Sequence, residues 1–194
     1  MSPSFLEQPV EPFLELVAAR EPAPGGGAVA AVTVASAAAL AGMAARFADR
    51  RLRDSGRLTA RADRFRHRAL ALARADAASY SAVLAAYALP RGRTRQEQVR
   101  RALLTAAEVP LTLAGLAAKV AQLALLLAED GNSNLKGDAL TAILLAEAAA
   151  QAAAALVRIN VQAGELGPEL PEQAGRCARA TECYRERATS LATA

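Results

Sequence analysis

Apolar residues recur at helical spacing along most of the 194-residue chain, and no segment alternates apolar and polar side chains over the length of a strand. Prolines, glycines and short charged segments divide this pattern into six blocks. The blocks predict helices over residues 11–20, from just after Gly27 to about residue 49, and over 57–89, 94–130, 136–163 and 171–190. Helices of this length favour an all-α fold, an elongated bundle of long antiparallel helices, and we expect residues 1–194 to form one such domain.

Three positions define boundaries and breaks in the second half of the chain. Thr94 followed by Glu97 has the spacing of a capping box, which predicts the start of the fourth helix. Pro110 lies in the middle of that helix, where it removes one backbone hydrogen bond and should produce a kink. Gly164 is expected just past the end of the fifth helix.

The segment between the first two helices has an unusual composition. Pro22 and Pro24 keep the residues before them extended, and Gly25, Gly26 and Gly27 follow. Glycines leave backbone N–H groups uncovered and can take positive φ, while the first N–H groups of the next helix have no partner inside it. We therefore expect this glycine loop, residues 22–27, to bind a carboxylate, a carbonyl or a phosphate.

The uncharged run that begins in the loop, residues 25–45, has the length of a membrane span. It consists mostly of Ala and Gly with Thr33 and Ser36, and it is poor in the Leu, Ile and Phe that drive insertion. A buried helix at the centre of the bundle is therefore favoured over a membrane span. We expect no association with a membrane.

The composition restricts which residues can form the core, which kinds of partner the protein can bind and in which compartment it is expected. Hydrophobic residues make up 53% of the chain but aromatic residues only 4%, so Ala, Leu and Val must form the core. The net charge of +4 comes almost entirely from arginine, and few aromatics accompany the arginines of residues 46–74, which argues against a nucleic-acid partner. Cys177 and Cys183 stand about 9 Å apart on a helix, beyond disulfide reach. Free thiols without a signal peptide indicate the cytoplasm.

Three polar residues fall on helix faces that are otherwise apolar. Asp76 lies four residues after Leu72 and four before Tyr80. Such a carboxyl is either desolvated, with a raised pKa suited to acid–base work, or it caps or pairs with a neighbouring element, and the sequence leaves both open. Asp138 and Asn160 share one face of the fifth helix. Asp138 also fits an ordinary charge at a helix N-terminus, whereas Asn160 needs a buried partner.

His67 is the only histidine, and it lies among arginines on the opposite side of the third helix from Asp76. A solvated surface position suits it better than a catalytic one. Neither a histidine-assisted nucleophile nor a histidine-based metal site can be assembled from this chain.

Four segments occur in an order that resembles a known family: PAPGGGAVAA, RADAASYSAVLAAYALP, AAEVPL and GNSNLKGDALTAILLAEAAAQAAAALVRINV. They are similar, in turn, to the glycine loop, the Asp-containing helix ending in Tyr-x-Leu-Pro, the proline-kinked helix, and the Gly-Asn turn with its following Asp and closing Asn of that family. The family is the cyclodeaminase/cyclohydrolase family of folate enzymes. The resemblance covers residues 10–161.

The resemblance implies an all-α fold of long helices, usually dimeric, that acts on a one-carbon derivative of tetrahydrofolate without a metal or other cofactor. We expect formiminotetrahydrofolate cyclodeaminase activity, which eliminates ammonia and closes the ring of 5,10-methenyltetrahydrofolate. Methenyltetrahydrofolate cyclohydrolase is the alternative, as is a non-catalytic folate-binding or scaffold protein. A helical protein that binds nucleic acid or a membrane surface through its arginines is an alternative of another class.

The resemblance also implies roles for individual residues. Asp76 or Asp138 would transfer the proton that ring closure requires. The glycine amides would hold a carbonyl of the substrate, and the cationic side chains would hold its glutamate tail. The full expected substrate-binding set is Pro24, Gly25, Gly26, Gly27, Arg46, Arg50, Asn132, Asn134, Lys136 and Asn160.

Overall fold

Residues 4–48 and 52–192 are described by a computed structural model of the protein. Six α-helices follow one another in these ranges: α1 (Val10–Ala18), α2 (Gly26–Arg46), α3 (Ser55–Tyr87), α4 (Arg93–Asp130), α5 (Lys136–Ala163) and α6 (Glu169–Ala192). Short 3₁₀ turns precede α1 and α5. No strand occurs in either described range, and the predicted all-α fold is confirmed.

Helices α2 to α5 alternate in direction along the bundle. At one end, the N-terminus of α2 at Gly27 lies against Asp76 of α3. At the same end, Asn160 of α5 donates a hydrogen bond to the Ala106 carbonyl of α4. We call this the loop end, because the glycine loop lies there.

The opposite end of the bundle is held by polar contacts of its own. Arg46, the last residue of α2, pairs with Asp63 of α3, and Asn132, just before α5, donates to the Phe47 carbonyl. We call this the distal end. Helix α4 has 38 residues and is therefore about 57 Å long, which makes the bundle elongated, as predicted.

Helix α6 runs back along α4 and α5. Arg185 forms an ion pair with Glu147 of α5, and Arg187 forms one with Glu129 of α4. Both cysteines lie on this helix and are free thiols, as their spacing predicted. Helix α6 thus covers the side of the α4–α5 pair that α2 and α3 leave open.

Small side chains let the helices approach closely. Twelve residues of α2 are buried, and all of them are Ala, Gly or Val. A Cβ built on Gly42 would stand only 3.3 Å from the Cβ of Ala62, so α2 and α3 are nearly in backbone contact there. The largest fully buried side chains are aliphatic, among them Leu113, Leu123, Ile143, Val34, Val120 and Val157.

Three segments are long and apolar enough to cross a membrane, by length and composition alone. They are Gly26–Arg46, Arg93–Asp130 and Ser133–Ala163, and between 44% and 61% of their most apolar windows is buried within the bundle. About half of each apolar window is therefore buried by packing against other helices of the bundle. The prediction that the protein does not associate with a membrane stays a prediction.

The predicted helix boundaries agree with the structure within two residues except at the end of α2, and the predicted cap of α4 also differs. Helix α4 begins at Arg93 with Gly92 as its N-cap and no side-chain cap, so the capping box predicted from Thr94 and Glu97 is wrong. Thr94 is the second residue of the helix and therefore cannot be its N-cap, and Glu97 pairs with Arg93 one turn earlier at 3.1 Å. Helix α2 ends at Arg46, short of residue 49, which lies outside the described residues.

Candidate active site

Asp76 projects from α3 onto the first turn of α2. Its carboxylate accepts a hydrogen bond from the backbone N–H of Ala28, one of the N–H groups that have no partner within α2. Desolvation by burial raises the pKa of the Asp76 carboxyl above its ordinary value, and the Ala28 hydrogen bond opposes only part of this rise. Both alternatives left open by the sequence therefore hold, since Asp76 caps a neighbouring helix and is also desolvated.

Gly27 gives the Asp76 carboxylate the space it occupies. A Cβ built on Gly27 would stand 2.0 Å from Oδ1 and 2.5 Å from Oδ2 of Asp76, far inside contact distance. Positive φ plays no part, because Gly92 is the only glycine with positive φ among the described residues. Close approach is thus the reason for glycine at position 27, and the conformational freedom expected of the loop is not used.

A cavity of about 330 Å³ opens beside Asp76. The glycine loop forms one wall, and the other walls are largely apolar, including Ala77, Tyr80, Leu156 and Ile159. This volume lies within the range of small-molecule sites, which combine apolar walls with a few polar groups. A Cβ at either Gly25 or Gly26 would meet nothing within 4 Å, so there is open space beside both glycines.

Asn160 of α5 lines the same cavity. Its Nδ2 donates to the Ala106 carbonyl at 2.7 Å, so the partner that the sequence required for Asn160 is a main-chain carbonyl of α4. The loop glycines, Asp76 and Asn160 therefore line one cavity, and their predicted roles there stay a prediction. Ala106, which sequence reasoning had not selected, completes this wall.

The distal end holds most of the other predicted residues, and hydrogen bonds already occupy several of them. The Arg46 Nη2 atom lies 2.7 Å from Oδ2 of Asp63, and this hydrogen-bonded ion pair lowers the pKa of the Asp63 carboxyl. Asn132 donates from Nδ2 to the Phe47 carbonyl at 3.2 Å, and its Oδ1 accepts from the Asn134 N–H at 3.0 Å. Lys136 and Asp138 lie here too, in the first turn of α5.

Asp138 does not line the cavity of Asp76 within one chain, and its predicted catalytic role stays a prediction. Asp138 precedes Asn160 by 22 residues on α5, which corresponds to about 33 Å along the helix. Helical periodicity shows that two residues share a face but not that they share an end. Arg50, also predicted to bind substrate, lies outside the described residues.

Metal-binding side chains do not gather in the described ranges. Within residues 4–48 and 52–192, no group of three His, Cys, Asp or Glu side chains is close enough to hold a metal ion. The expectation that the protein works without a metal or cofactor stays a prediction.

Comparison with known proteins gives this site a context. Residues 9–165, which include all of α1 to α5, match the family model described as formiminotransferase-cyclodeaminase. The chain belongs to this family. It is 31% identical over 164 residues, 79% of each chain, to the methenyltetrahydrofolate cyclohydrolase of Methylorubrum extorquens.

A solved structure supports the same assignment. The crystal structure of formiminotetrahydrofolate cyclodeaminase from Thermotoga maritima matches with a TM-score of 0.87 and 28% identity, covering 97% of both chains. The resemblance identified from the four sequence segments is confirmed, and so is the fold that it implied.

Proposed function

We propose that this protein makes or opens the ring of 5,10-methenyltetrahydrofolate, and that Asp76 moves the proton that this chemistry requires. The observation that carries the proposal is the desolvated Asp76 carboxyl, whose pKa is raised, in the wall of the 330 Å³ cavity. A carboxyl with a raised pKa exchanges protons more readily near neutral pH than an ordinary one. Membership of the formiminotransferase-cyclodeaminase family supports the choice of substrate class.

In the cyclodeaminase reaction, N10 of 5-formiminotetrahydrofolate attacks the carbon of the formimino group in its protonated form, –CH=NH₂⁺. The bond between this carbon and N10 forms, N10 loses its proton, and the bond to the formimino nitrogen breaks once that nitrogen has been protonated and leaves as ammonia. Asp76 in its ionised form would accept the N10 proton and then return it to the leaving nitrogen. The similarity to the Thermotoga maritima cyclodeaminase supports this candidate.

The cyclohydrolase reaction opens the ring at the same carbon instead of closing it. Water attacks the methenyl carbon and gives up one proton, and the bond from this carbon to N5 breaks as N5 is protonated. The remaining hydroxyl proton is released to solvent as the C=O of the 10-formyl form is made. Asp76 would again take one proton and deliver it to a nitrogen. The 31% identical cyclohydrolase of Methylorubrum extorquens supports this second candidate as strongly as the solved structure supports the first.

The remaining groups of the cavity would bind the folate rather than react with it. The exposed N–H groups at the start of α2 suit a carbonyl oxygen of the substrate, and the side chain of Asn160 suits a polar edge of its ring system. The apolar walls around Tyr80 and Ile159 suit the aromatic parts. We assign the protein to the cytoplasm, because free thiols persist in that reducing compartment.

Two assays on the purified protein separate the candidates. With 5-formiminotetrahydrofolate, release of ammonia together with methenyltetrahydrofolate absorbance would identify a cyclodeaminase. With methenyltetrahydrofolate, loss of that absorbance faster than the spontaneous rate would identify a cyclohydrolase. If folate binds but neither signal exceeds that of an Asp76→Asn control, the protein is a non-catalytic folate binder and the proposal fails.

We also propose a homodimer that uses the exposed face shared by α2 and α5. Helix α2 carries no charge from Gly26 to Ala45, and Phe47, Leu144 and Ile159 are 60%, 45% and 59% exposed. Large apolar side chains that are exposed in one chain would be buried in such an interface. In a two-fold dimer with antiparallel α2 helices, the distal end of one chain would lie beside the loop end of the other. The partner's Asp138 would then complete the site of Asp76.

Mixing two inactive variants tests this arrangement. Asp76→Asn and Asp138→Asn chains that are unfolded and refolded together would form mixed dimers with one intact site. About a quarter of the wild-type activity should return if pairing is random. Full activity of Asp138→Asn alone would remove Asp138 from the proposal, and a monomeric mass by light scattering would remove the dimer.

A further inference from the structure

Pro110 lies inside α4, four residues after Ala106, whose carbonyl accepts a hydrogen bond from Asn160. In an α-helix the N–H of each residue donates to the carbonyl four residues earlier, and proline has no N–H to donate. The residue four positions before Pro110 is Ala106, whose carbonyl therefore lacks its helical donor. Asn160 Nδ2 donates to that carbonyl at 2.7 Å, across a sequence separation of 54 residues.

This bond determines which way the Asn160 amide faces. A carbonyl accepts hydrogen bonds and cannot donate them, so it binds the NH₂ end of the amide and leaves Oδ1 at the other end. Oδ1 has no hydrogen-bond partner among the described residues. Every side-chain oxygen or nitrogen in those ranges that lacks a partner is accessible to solvent, and Oδ1 is therefore accessible too. Asn160 lines the cavity, so its accessible oxygen is a hydrogen-bond acceptor available to a ligand there.

We propose that Pro110 is a positioning residue for the cavity. By withholding its N–H, it frees the Ala106 carbonyl, which holds the Asn160 amide with Oδ1 ready to accept from an N–H group of the substrate. This inference rests on the proposed folate function and deepens it, because it assigns to this side of the cavity an N–H-bearing part of the folate. A proline would otherwise be a costly residue in a helix interior.

Pro110→Ala restores the N–H and lets the helix reclaim the Ala106 carbonyl. We expect KM for the folate substrate to rise about three- to tenfold, the range that one net hydrogen bond supplies, with a smaller change in kcat. The melting temperature should stay level or rise, since alanine is the better helix former. A residue with a purely structural role would instead change the melting temperature and leave KM alone.

A double-mutant cycle with Asn160→Ala shows whether Pro110 acts through Asn160. In that background Pro110→Ala should have no further effect on KM, because the group it positions is gone. An equal rise in KM with and without Asn160 would overturn the inference. Pro12→Ala, which replaces a proline in the first turn of the peripheral helix α1, is the matched control and should leave KM unchanged.

A spectroscopic measurement separates this inference from the proposed function. In the wild-type protein, the side-chain NH₂ of Asn160 should exchange slowly with solvent, and in Pro110→Ala it should exchange faster and shift in the ¹⁵N–¹H spectrum. If the wild type is inactive on both folates but the amide responds in this way, the positioning role stands while the proposed function fails. If the wild type is active but Pro110→Ala changes neither the Asn160 amide signal nor KM, the positioning role alone is refuted.

Discussion

Asp63 and Asp76 both project from α3 onto α2, the first at the distal end and the second at the loop end. Asp63 meets the guanidinium of Arg46 at 2.7 Å, and its carboxyl pKa is lowered by that hydrogen bond. Asp76 meets the backbone N–H of Ala28, and its carboxyl pKa is raised because desolvation outweighs that bond. The pKa of an aspartate carboxyl between the same two helices is therefore shifted in opposite directions at the two ends.

The difference lies in the partner and in the solvent around it. A full positive charge on an exposed side chain holds a carboxylate in its ionised form, whereas a helix N-terminus offers only partial charge. Asp63 is therefore occupied by its ion pair, while Asp76 remains able to gain and lose a proton. Of the two, only Asp76 lines the cavity. A half-buried, desolvated carboxyl without a cation is thus the better marker of a reactive group than a carboxyl in an ion pair.

The largest effect that we expect comes from Asp76→Asn. The amide keeps an oxygen for the Ala28 N–H but cannot carry the proton, so turnover should fall by about 10²- to 10⁴-fold. The fold should survive, because asparagine fits the same space and removes a desolvated charge. Turnover of either folate substrate and thermal unfolding of the same preparation measure the two effects. A folded Asp76→Asn variant with wild-type activity would remove Asp76 from the mechanism.

Asp63→Asn is the matched control for that substitution, on the same helix and against the same neighbour. Its kcat should equal that of the wild type, because the exposed pair with Arg46 takes no part in proton transfer. Equal loss of kcat in both variants would show that charge on α3, rather than the loop-end site, controls turnover.

Gly27→Ala should have the next largest effect. The added Cβ would stand 2.0 Å from Asp76 Oδ1, so the carboxylate must leave the α2 N-terminus. We expect a loss of about 1–3 kcal/mol of stability from overpacking and a large loss of kcat from the displaced carboxyl. Urea unfolding and turnover measure these.

Gly56→Ala provides the control for the glycine substitution. Gly56 lies in the first turn of α3, and a Cβ there would meet nothing within 4 Å. Alanine should therefore leave activity unchanged and stabilise by about 0.5–1 kcal/mol. Tolerance of Gly27→Ala at this level would contradict the close approach of Asp76 to α2.

The two aspartates should also give opposite pH dependences of stability. Asp63 has a lowered pKa when folded, so its contribution is present above the unfolded pKa and is lost as the pH falls through the folded one. Asp76 has a raised pKa when folded, so its ionised form opposes folding at high pH, and this penalty disappears as the pH falls. Asp76→Asn should therefore melt higher than the wild type at neutral pH, and Asp63→Asn lower.

Thermal unfolding of the three proteins from neutral to acidic pH measures this contrast. As the pH falls, the melting temperature of Asp76→Asn should approach that of the wild type from above, and that of Asp63→Asn should approach it from below. Asp76→Asn melting below the wild type at neutral pH would mean that the Ala28 hydrogen bond outweighs desolvation.

Most of the loop end could be predicted from the sequence, because local signals mark it. The three consecutive glycines before a small-residue helix and the polar Asp76 and Asn160 on apolar faces are all visible without a structure. The particular use of Gly27 was not visible, since only the fold brings Asp76 within reach of it. Pro110 predicted a missing hydrogen bond, but not that a side chain about 50 residues later would replace it.

The distal end was harder to predict, because it depends on which ends of neighbouring helices lie together. The 22 residues between Asp138 and Asn160 already separate them along α5, but only the antiparallel packing shows which residues of the other helices lie at each end. Arg46 had the charge expected of a substrate-binding residue, but its partner Asp63 comes from another helix, where no local pattern connects the two. Pairing between helices is therefore the step that the sequence leaves undetermined.

The smallest expected effect distinguishes the two ends by their response to salt. The Arg46–Asp63 pair is exposed, with half of the arginine side chain accessible, so salt should screen it. The lower melting temperature of Asp63→Asn should approach the wild-type value at about 1 M NaCl, where the screening length is about 3 Å. The gap between Asp76→Asn and the wild type should persist in salt, because desolvation of a half-buried carboxyl is not a charge–charge interaction. If both gaps shrink alike, an unrecognised charge acts on Asp76, and the contrast between the two aspartates is one of degree.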